Sequence, residues 1–377
     1  MDPEHRVGTR RKSPYTLHQA EALAADDLWR PGMVPEIHAG RGAEVSRARR
    51  ALDQLDRRIA AALQINPRAT WRQIAAAVES TEDTTRRRAE RLFAAGLIRT
   101  TAISDNAVPT MRVLLQFTCG PAHASRVAEA LADRADVRFV SLVTGPVDVV
   151  AEMLVSSNRD LARVLLHDLP LIQGITSTTT ETVLRNFKIA YDWSYDLIGP
   201  RAAELGPPAR PSGDTVERVP LEPVDLRILT CLEENGRYSF TELAARCGIT
   251  ESMARRHVDH LFSRAGVRPI TLVDPYMLGY DVELLLWLRV DLAQLEQIAT
   301  ALAARREVRY VSATSGYRDL VCEVILRAHS DTYAFFTTVL AALPGIRQVD
   351  VASELLTLKR SNLRLDWGEH ASDHRSS

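Results

Sequence analysis

The chain has 377 residues and a formal net charge of −1, with 46% hydrophobic, 25% charged and 6% aromatic residues. Those proportions belong to a folded globular protein and exclude collagen, fibre and disorder as descriptions of the whole. The length calls for about two to four folding units, and the near-zero charge means that attraction to nucleic acid must come from a local patch.

Forty-four of the 47 basic residues are arginine, Lys12, Lys188 and Lys359 being the only lysines. So broad a bias reads as a high-GC coding preference and carries no functional weight. Cys119, Cys231, Cys247 and Cys322 show no CxxC pattern and no histidine at ligand spacing. Reduced buried thiols are therefore expected, with no metal and no cofactor. The opening MDPEHRVGTRRK lacks the apolar core of a signal peptide, and no stretch reaches about 18 uncharged apolar residues. A cytoplasmic protein without membrane contact is expected.

Residues 1–48 hold an Ala-rich amphipathic patch from Leu17 to Trp29 and then the basic run RGAEVSRARR; they are read as a mostly mobile extension. Beyond them the chain repeats itself. A shift of 169 lays 52–93 on 221–262 without a gap, with 15 of 42 positions identical, Leu52, Asp56, Asn66, Arg68, Arg86 and Arg87 among them. The similarity continues at an offset of 171, where DVRFVSLVTGPVDVVAE matches EVRYVSATSGYRDLVCE, and closes at 174 with LPLI against LPGI and the pairs Asp192-Trp193 and Asp366-Trp367. A unit of about 140 residues is duplicated.

In the first copy (49–104), Leu52, Leu55, Ile59 and Leu63 recur at helical spacing, and Leu221, Val224, Ile228 and Leu232 repeat this in the second (221–274). Thr70 with Gln73, and Ser239 with Glu242, predict capping boxes on a second helix. A third helix starts at Thr81 and stops at Gly96, giving a helix-turn-helix unit. Its stripe Thr85, Ala89 and Leu92 faces inward, which turns Asp83, Thr84, Arg86, Arg87 and Glu90 outward. Arg86, Arg87, Arg88 and Arg91 supply donors suited to phosphate and to guanine. A solvated basic face is the alternative reading, and the position on the last helix of a trihelical unit favours DNA. The alternating segment 97–103 reads as a strand or wing leading away, from which Arg99 could reach phosphate. Residues 52–99 hold nine arginines and six acids, net +3, whereas 221–268 hold seven of each. The first copy is therefore expected to be the better DNA reader, with Arg255 and Arg256 the equivalent contacts in the second. His257 and His260 stand three apart on a helix but lack a third ligand, so both are expected at the surface.

Each helical unit is followed by the order βαββαβ (108–196 and 280–367), a ferredoxin-like split sheet in an α+β fold. Its free face predicts self-association through the sheets, either within one chain as a pseudo-dimer or between two chains as a homodimer. The hairpins carry Thr144-Gly145-Pro146-Val147-Asp148 and Ser315-Gly316-Tyr317-Arg318-Asp319. Two readings fit: ordinary turn chemistry, with glycine at positive φ and aspartate closing the loop, or a rim in which Thr144, Gly145, Asp148, Ser315, Gly316 and Asp319 hold a small polar ligand. Between the copies, 197–220 is rich in proline, glycine and serine and reads as an extended, solvated linker; 368–377 is a tail.

The pattern LDQLDRRIAAALQINPRATWRQIA…STEDTTRRRAERLFAAGLI, followed by βαββαβ with TGxxD at the hairpin, resembles the Lrp/AsnC (feast/famine) regulators, twice over and in a tandem form. The resemblance implies a winged helix-turn-helix that binds double-stranded DNA, and behind it an effector-binding, self-associating module often responsive to amino acids. By position it implies a recognition helix over Glu82–Phe93 and effector turns at Gly145–Asp148 and Gly316–Asp319. The copies depart from the pattern differently. The first has Glu79 where the family places glycine, at a cost of about 1 kcal/mol; the second keeps Gly248 but carries His257 in place of Arg88. Unequal duties and an asymmetric DNA site follow. Siroheme decarboxylases resemble the same two-part architecture, but no paired carboxylates, nucleophile triad, phosphate loop or metal cluster supports an enzyme here. A metabolite sensor or partner-binding protein with an idle helical unit is the remaining alternative.

Overall fold

The computed structural model describes residues 52–104, 111–189, 191, 193–206, 219–361 and 363–365. The expectations for 1–48, for 368–377 and for the Asp192/Asp366 match lie outside these residues.

The first head contains α1 (Gln54–Ile65), α2 (Trp71–Val78) and α3 (Glu82–Ala94), followed by the wing strand β1 (Ile98–Ser104). Asp53 caps α1, Thr70 and Gln73 close a capping box on α2, and Thr81 caps α3. Ile59, Leu63, Ile74 and Leu92 are fully buried where the helices meet, each stabilising by roughly 1.5–3 kcal/mol. Glu79 ends α2 with φ 58° and ψ 51°, the left-handed geometry expected of a position that favours glycine.

The first module follows as β2 (Met111–Cys119), α4 (Ala124–Ala132), β3 (Val137–Val143), β4 (Val149–Val155), α5 (Asn158–Arg163) and β5 (Ile175–Ile189). The second head is α6 (Pro223–Glu234), α7 (Phe240–Cys247), α8 (Glu251–Ser263) and wing strand β6 (Val267–Val273). The second module is β7 (Val282–Val290), α9 (Leu295–Ala303), β8 (Val308–Thr314), β9 (Leu320–Leu326), α10 (His329–Ala334), β10 (Ile346–Arg360) and a short β11 (Leu363–Arg364). Among the described residues no helix is long and apolar enough to cross a membrane.

The copies interlock in three places. The long last strand of each module serves two sheets: β5 pairs with β2 through Ile175–Thr182 and with β8 through Val183–Ile189, while β10 pairs with β7 through 346–353 and with β3 through 354–360. The ladder β3-β4-β2-β5-β8-β9-β7-β10 thus closes back onto β3, a ring of antiparallel strands within one chain. The helices cover the outer faces over separate cores, and Leu114, Val150, Leu285, Trp287 and Val321 pack between the two sheets. The free sheet face expected from the sequence is therefore covered by the other module of the same chain.

The wings pair with each other, Ile98 opposite Val273 and Thr101 opposite its own equivalent Ile270. The loops after α1 and α6 clasp reciprocally. Arg68 donates to the carbonyls of Gly236 (2.6 Å) and Tyr238 (3.2 Å), and Arg237 donates to those of Pro67 (2.5 Å) and Ala69 (3.1 Å). A Cβ at Gly236 would stand 2.8 Å from the Thr101 carbonyl oxygen, so this approach needs glycine. Burial and the neighbouring Arg68 charge pull the Arg237 guanidinium down to about 10.

Two expectations are corrected. The linker is not extended from its start: Gly199–Leu205 forms a 3-10 turn, and Ile198, Ala202 and Leu205 bury their side chains in the first head, because apolar residues between the prolines can still offset their ordering entropy by burial. The match of LPLI with LPGI at an offset of 174 does not survive either. Gly174 and Gly345 both take positive φ, 100° and 99°, immediately before β5 and β10, which keeps the repeat at 171.

Candidate functional site

On α3, Thr85, Ala89 and Leu92 are buried as expected, and Asp83, Arg86, Arg87 and Arg91 are exposed, with Thr84 half-buried. Arg86 pairs with Asp83 at 2.9 Å and Glu90 at 3.7 Å, exposed pairs that hold it weakly. Arg88 points elsewhere: it reaches α1, pairing with Asp53 at 2.5 Å and with the buried Asp56 at 3.1 Å. Arg91 joins the same clasp through Asp56 at 2.8 Å while its side chain stays 62% exposed. The Arg88 guanidinium holds the Asp53 carboxyl below its usual range. Arg99 donates from the wing to the Arg364 carbonyl at 3.0 Å. In the second head Arg255 and Arg256 are exposed on α8, Arg255 lying over the Phe240 ring at 4.3 Å. The exposed arginine ridge is thus Arg86, Arg87 and Arg91 in one head and Arg255 and Arg256 in the other.

His257 is not at the surface. It is 8% exposed, and its Nδ1 lies 2.8 Å from Asp225 Oδ1. The reason is positional: it occupies the place of Arg88, and the helix contact that turns Arg88 onto Asp56 buries the shorter His257 against the equivalent Asp225.

The hairpin turns are latched across the module boundary. Thr144 N donates to the Ser353 carbonyl at 2.9 Å and Ser353 N to Thr144 Oγ1 at 3.0 Å. Ser315 N donates to the Thr182 carbonyl at 2.9 Å and Thr182 N to Ser315 Oγ at 3.2 Å. Asp148 and Asp319 close their loops by accepting from Cys119 N (2.7 Å) and Val290 N (2.8 Å). Gly145 has φ 104° and abuts the Val351 carbonyl, while a Cβ on Gly316 would collide with the Glu181 side chain. Burial pushes the Glu181 carboxyl up. Four of the six residues assigned to a ligand rim therefore carry structural bonds in these turns.

Sequence reasoning missed a charged chamber between the sheets, a cavity of about 300 Å³ whose walls include Arg112, Arg138, Glu152, Glu283, Arg309, Glu323, Glu354 and Arg360. Arg309 contacts both Glu283 and Glu323, the latter at 2.5 Å, and Arg360 reaches Glu323 at 2.8 Å and Glu354 at 3.4 Å. Burial raises the Glu323 carboxyl, but Arg309 and Arg360 overcome this and hold it far below the carboxylate range. Glu354, with burial and the charges of Glu323 and Glu283 against it, is raised well above it. The repeat held the signal: Arg138/Arg309 and Glu152/Glu323 are equivalent charged residues on strands otherwise uncharged.

This architecture matches known families. The AsnC-type helix-turn-helix domain covers residues 52–92, the Lrp/AsnC ligand binding domain covers 112–192 and again 283–363, and a winged helix-turn-helix DNA-binding domain covers 221–261. The chain belongs to the Lrp/AsnC family. It is a tandem Lrp/AsnC member, a DNA-binding transcriptional regulator with two small-molecule-binding modules. An uncharacterized HTH-type transcriptional regulator of Pyrococcus abyssi is 28% identical over 152 residues, covering 40% of this chain and 92% of its own. HTH-type transcriptional regulator Ptr1 of Methanocaldococcus jannaschii is 28% identical over 140 residues, 37% of this chain and 95% of its own. The leucine-responsive regulatory protein of Rhizobium meliloti is 29% identical over 151 residues, 38% of this chain and 94% of its own. Among solved structures, the siroheme decarboxylase NirDL covers 84% of this Lrp/AsnC chain and 96% of its own at 13% identity and a TM-score of 0.53, a likeness of fold.

Proposed function

We propose that this cytoplasmic Lrp/AsnC regulator reads an asymmetric, bipartite DNA site, the first head through Arg86, Arg87 and Arg91 with Asp83, Thr84 and Arg99, the second more weakly through Arg255 and Arg256. The observation that carries this is the outward arginine ridge of α3 on a head of net charge +3. Arg88 acts behind that ridge, orienting α3 through Asp53 and Asp56. The paired wings hold the two heads together, so that each recognition helix is presented at a fixed separation, as half-site spacing on DNA requires. The effector is a small polar, amino-acid-like molecule held at the turns Thr144–Asp148 and Ser315–Asp319, where backbone and side chains of both modules meet. Catalysis is not part of this reading.

The experiment is a salt titration of binding to DNA upstream of the protein's own operon. Arg86→Ala with Arg87→Ala should weaken binding and lower the slope of log K against log salt by about 2, one for each phosphate no longer neutralised. The pair Arg255→Ala with Arg256→Ala should cost less. Equal affinity for wild type and the Arg86/Arg87 variant would remove the first head from the interface. A shift of wild-type binding on adding amino acids, abolished by Gly316→Val, tests the effector turns.

A further inference from the structure

In the first head, α1 and α3 are clasped by Asp53, Asp56, Arg88 and Arg91, two acids against two guanidiniums. The repeat places Glu222, Asp225, His257 and His260 at the same four positions of the second head. Both acids are kept in type, and both guanidiniums have become imidazoles. A guanidinium offers donors only and cannot ligate a metal; every residue of the second set can.

The geometry follows the chemistry. Asp225 is 1% exposed, and its Oδ2 accepts from Glu222 N at 2.9 Å in the capping box of α6. That bond leaves Oδ1 turned to His257 Nδ1 at 2.8 Å. Donor atoms of Glu222, Asp225 and His257 all lie within 4.8 Å of one another. The carboxylate that meets two guanidiniums in the first head meets the imidazole of His257 in the second, a group without a fixed charge. The partners that His257 lacked in sequence are thus supplied by Glu222 and Asp225 at the N-terminus of α6.

We propose that Glu222, Asp225 and His257 form a site for a divalent transition metal, zinc or cobalt in preference to magnesium, tying the start of α6 to α8. A mixed nitrogen and oxygen donor set selects that class, and the three protein donors leave a fourth position for water. The metal takes over the work of the two arginines and steadies the helix that carries Arg255 and Arg256. The proposal does not depend on whether that helix reads DNA.

The test uses the full chain, stripped with chelator and titrated with Co2+. One equivalent should bind with visible d–d absorption, be displaced by Zn2+, and raise the melting temperature. His257→Arg rebuilds the clasp of the first head, so it should fold and melt as the metal-free protein does while losing the cobalt spectrum. Glu222→Gln, at an exposed position, should weaken binding by at least the roughly 10–100-fold that outer-shell changes alone produce. Absence of a one-equivalent cobalt complex in the wild type, or an unchanged complex in both variants, overturns the proposal. Sulfur-to-cobalt charge-transfer bands overturn it too, since they would place the ion at Cys231 and Cys247, whose Sγ atoms lie 3.9 Å apart.

Discussion

The chamber shows how two chemically identical side chains acquire opposite states. Glu323 and Glu354 face the same pair of guanidiniums, but Glu323 takes the shorter contacts with Arg309 and Arg360, and its charge then works against Glu354. A carboxyl whose folded pKa is raised binds its proton more tightly in the folded than in the unfolded chain. Its stabilising effect is complete below about 4.5 and is lost as pH climbs toward the raised value, at about 1.4 kcal/mol per unit. Glutamine imitates the protonated form without titrating. Glu354→Gln should therefore match the wild type in urea denaturation near pH 4.5 and gain on it steadily toward pH 8; a variant that instead loses ground there would mean Glu354 is an ionised partner of the arginines.

Among the elements, the turn between α2 and α3 carries the cost of its sequence. Glu79 adopts the left-handed conformation and pairs with the half-buried Arg58 at 3.3 Å and the exposed Arg201 at 2.8 Å. Removing the carboxylate and removing the Cβ are separable. Glu79→Ala loses the pairs and keeps the strain, while Glu79→Gly loses both, so glycine should be the more stable of the two by about 1 kcal/mol in thermal or urea denaturation. Helices, caps and the βαββαβ order were legible because helical spacing, capping residues and the repeat each fix an element locally. Strand partners were not. Period-two alternation identifies 97–103 as a strand, but pairing energy depends on what lies opposite, and nothing in Ile98–Ser104 names Val267–Val273 as its neighbour. Arg88 and His257 were misplaced for a related reason: helical phase says which way a residue leans, and only the position of α1 or α6 says what it meets. The substitution of both clasp arginines by histidine was visible in the alignment of the copies, and its meaning required the distance to Asp225.

At the level of the whole molecule, the ring of strands, the paired wings and the reciprocal Arg68 and Arg237 loops make each half incomplete without the other. A protease site introduced within 207–218 should, once cut, leave two fragments that co-elute on size exclusion and separate only in denaturant; fragments that part in native buffer would show that the crossings contribute little. The closed ring also removes the usual way in which such halves meet. Two subunits held by strand exchange obey mass action, come apart on dilution and shuffle with any related subunit made in the same cell. Here the covalent chain sets the local concentration of one half around the other, and a defective gene copy has no loose half with which to poison a sound one. Each of the two heads is thereby released from serving its own mirror image, and differences such as Arg88 against His257 can accumulate at one end of the molecule without being imposed on the other.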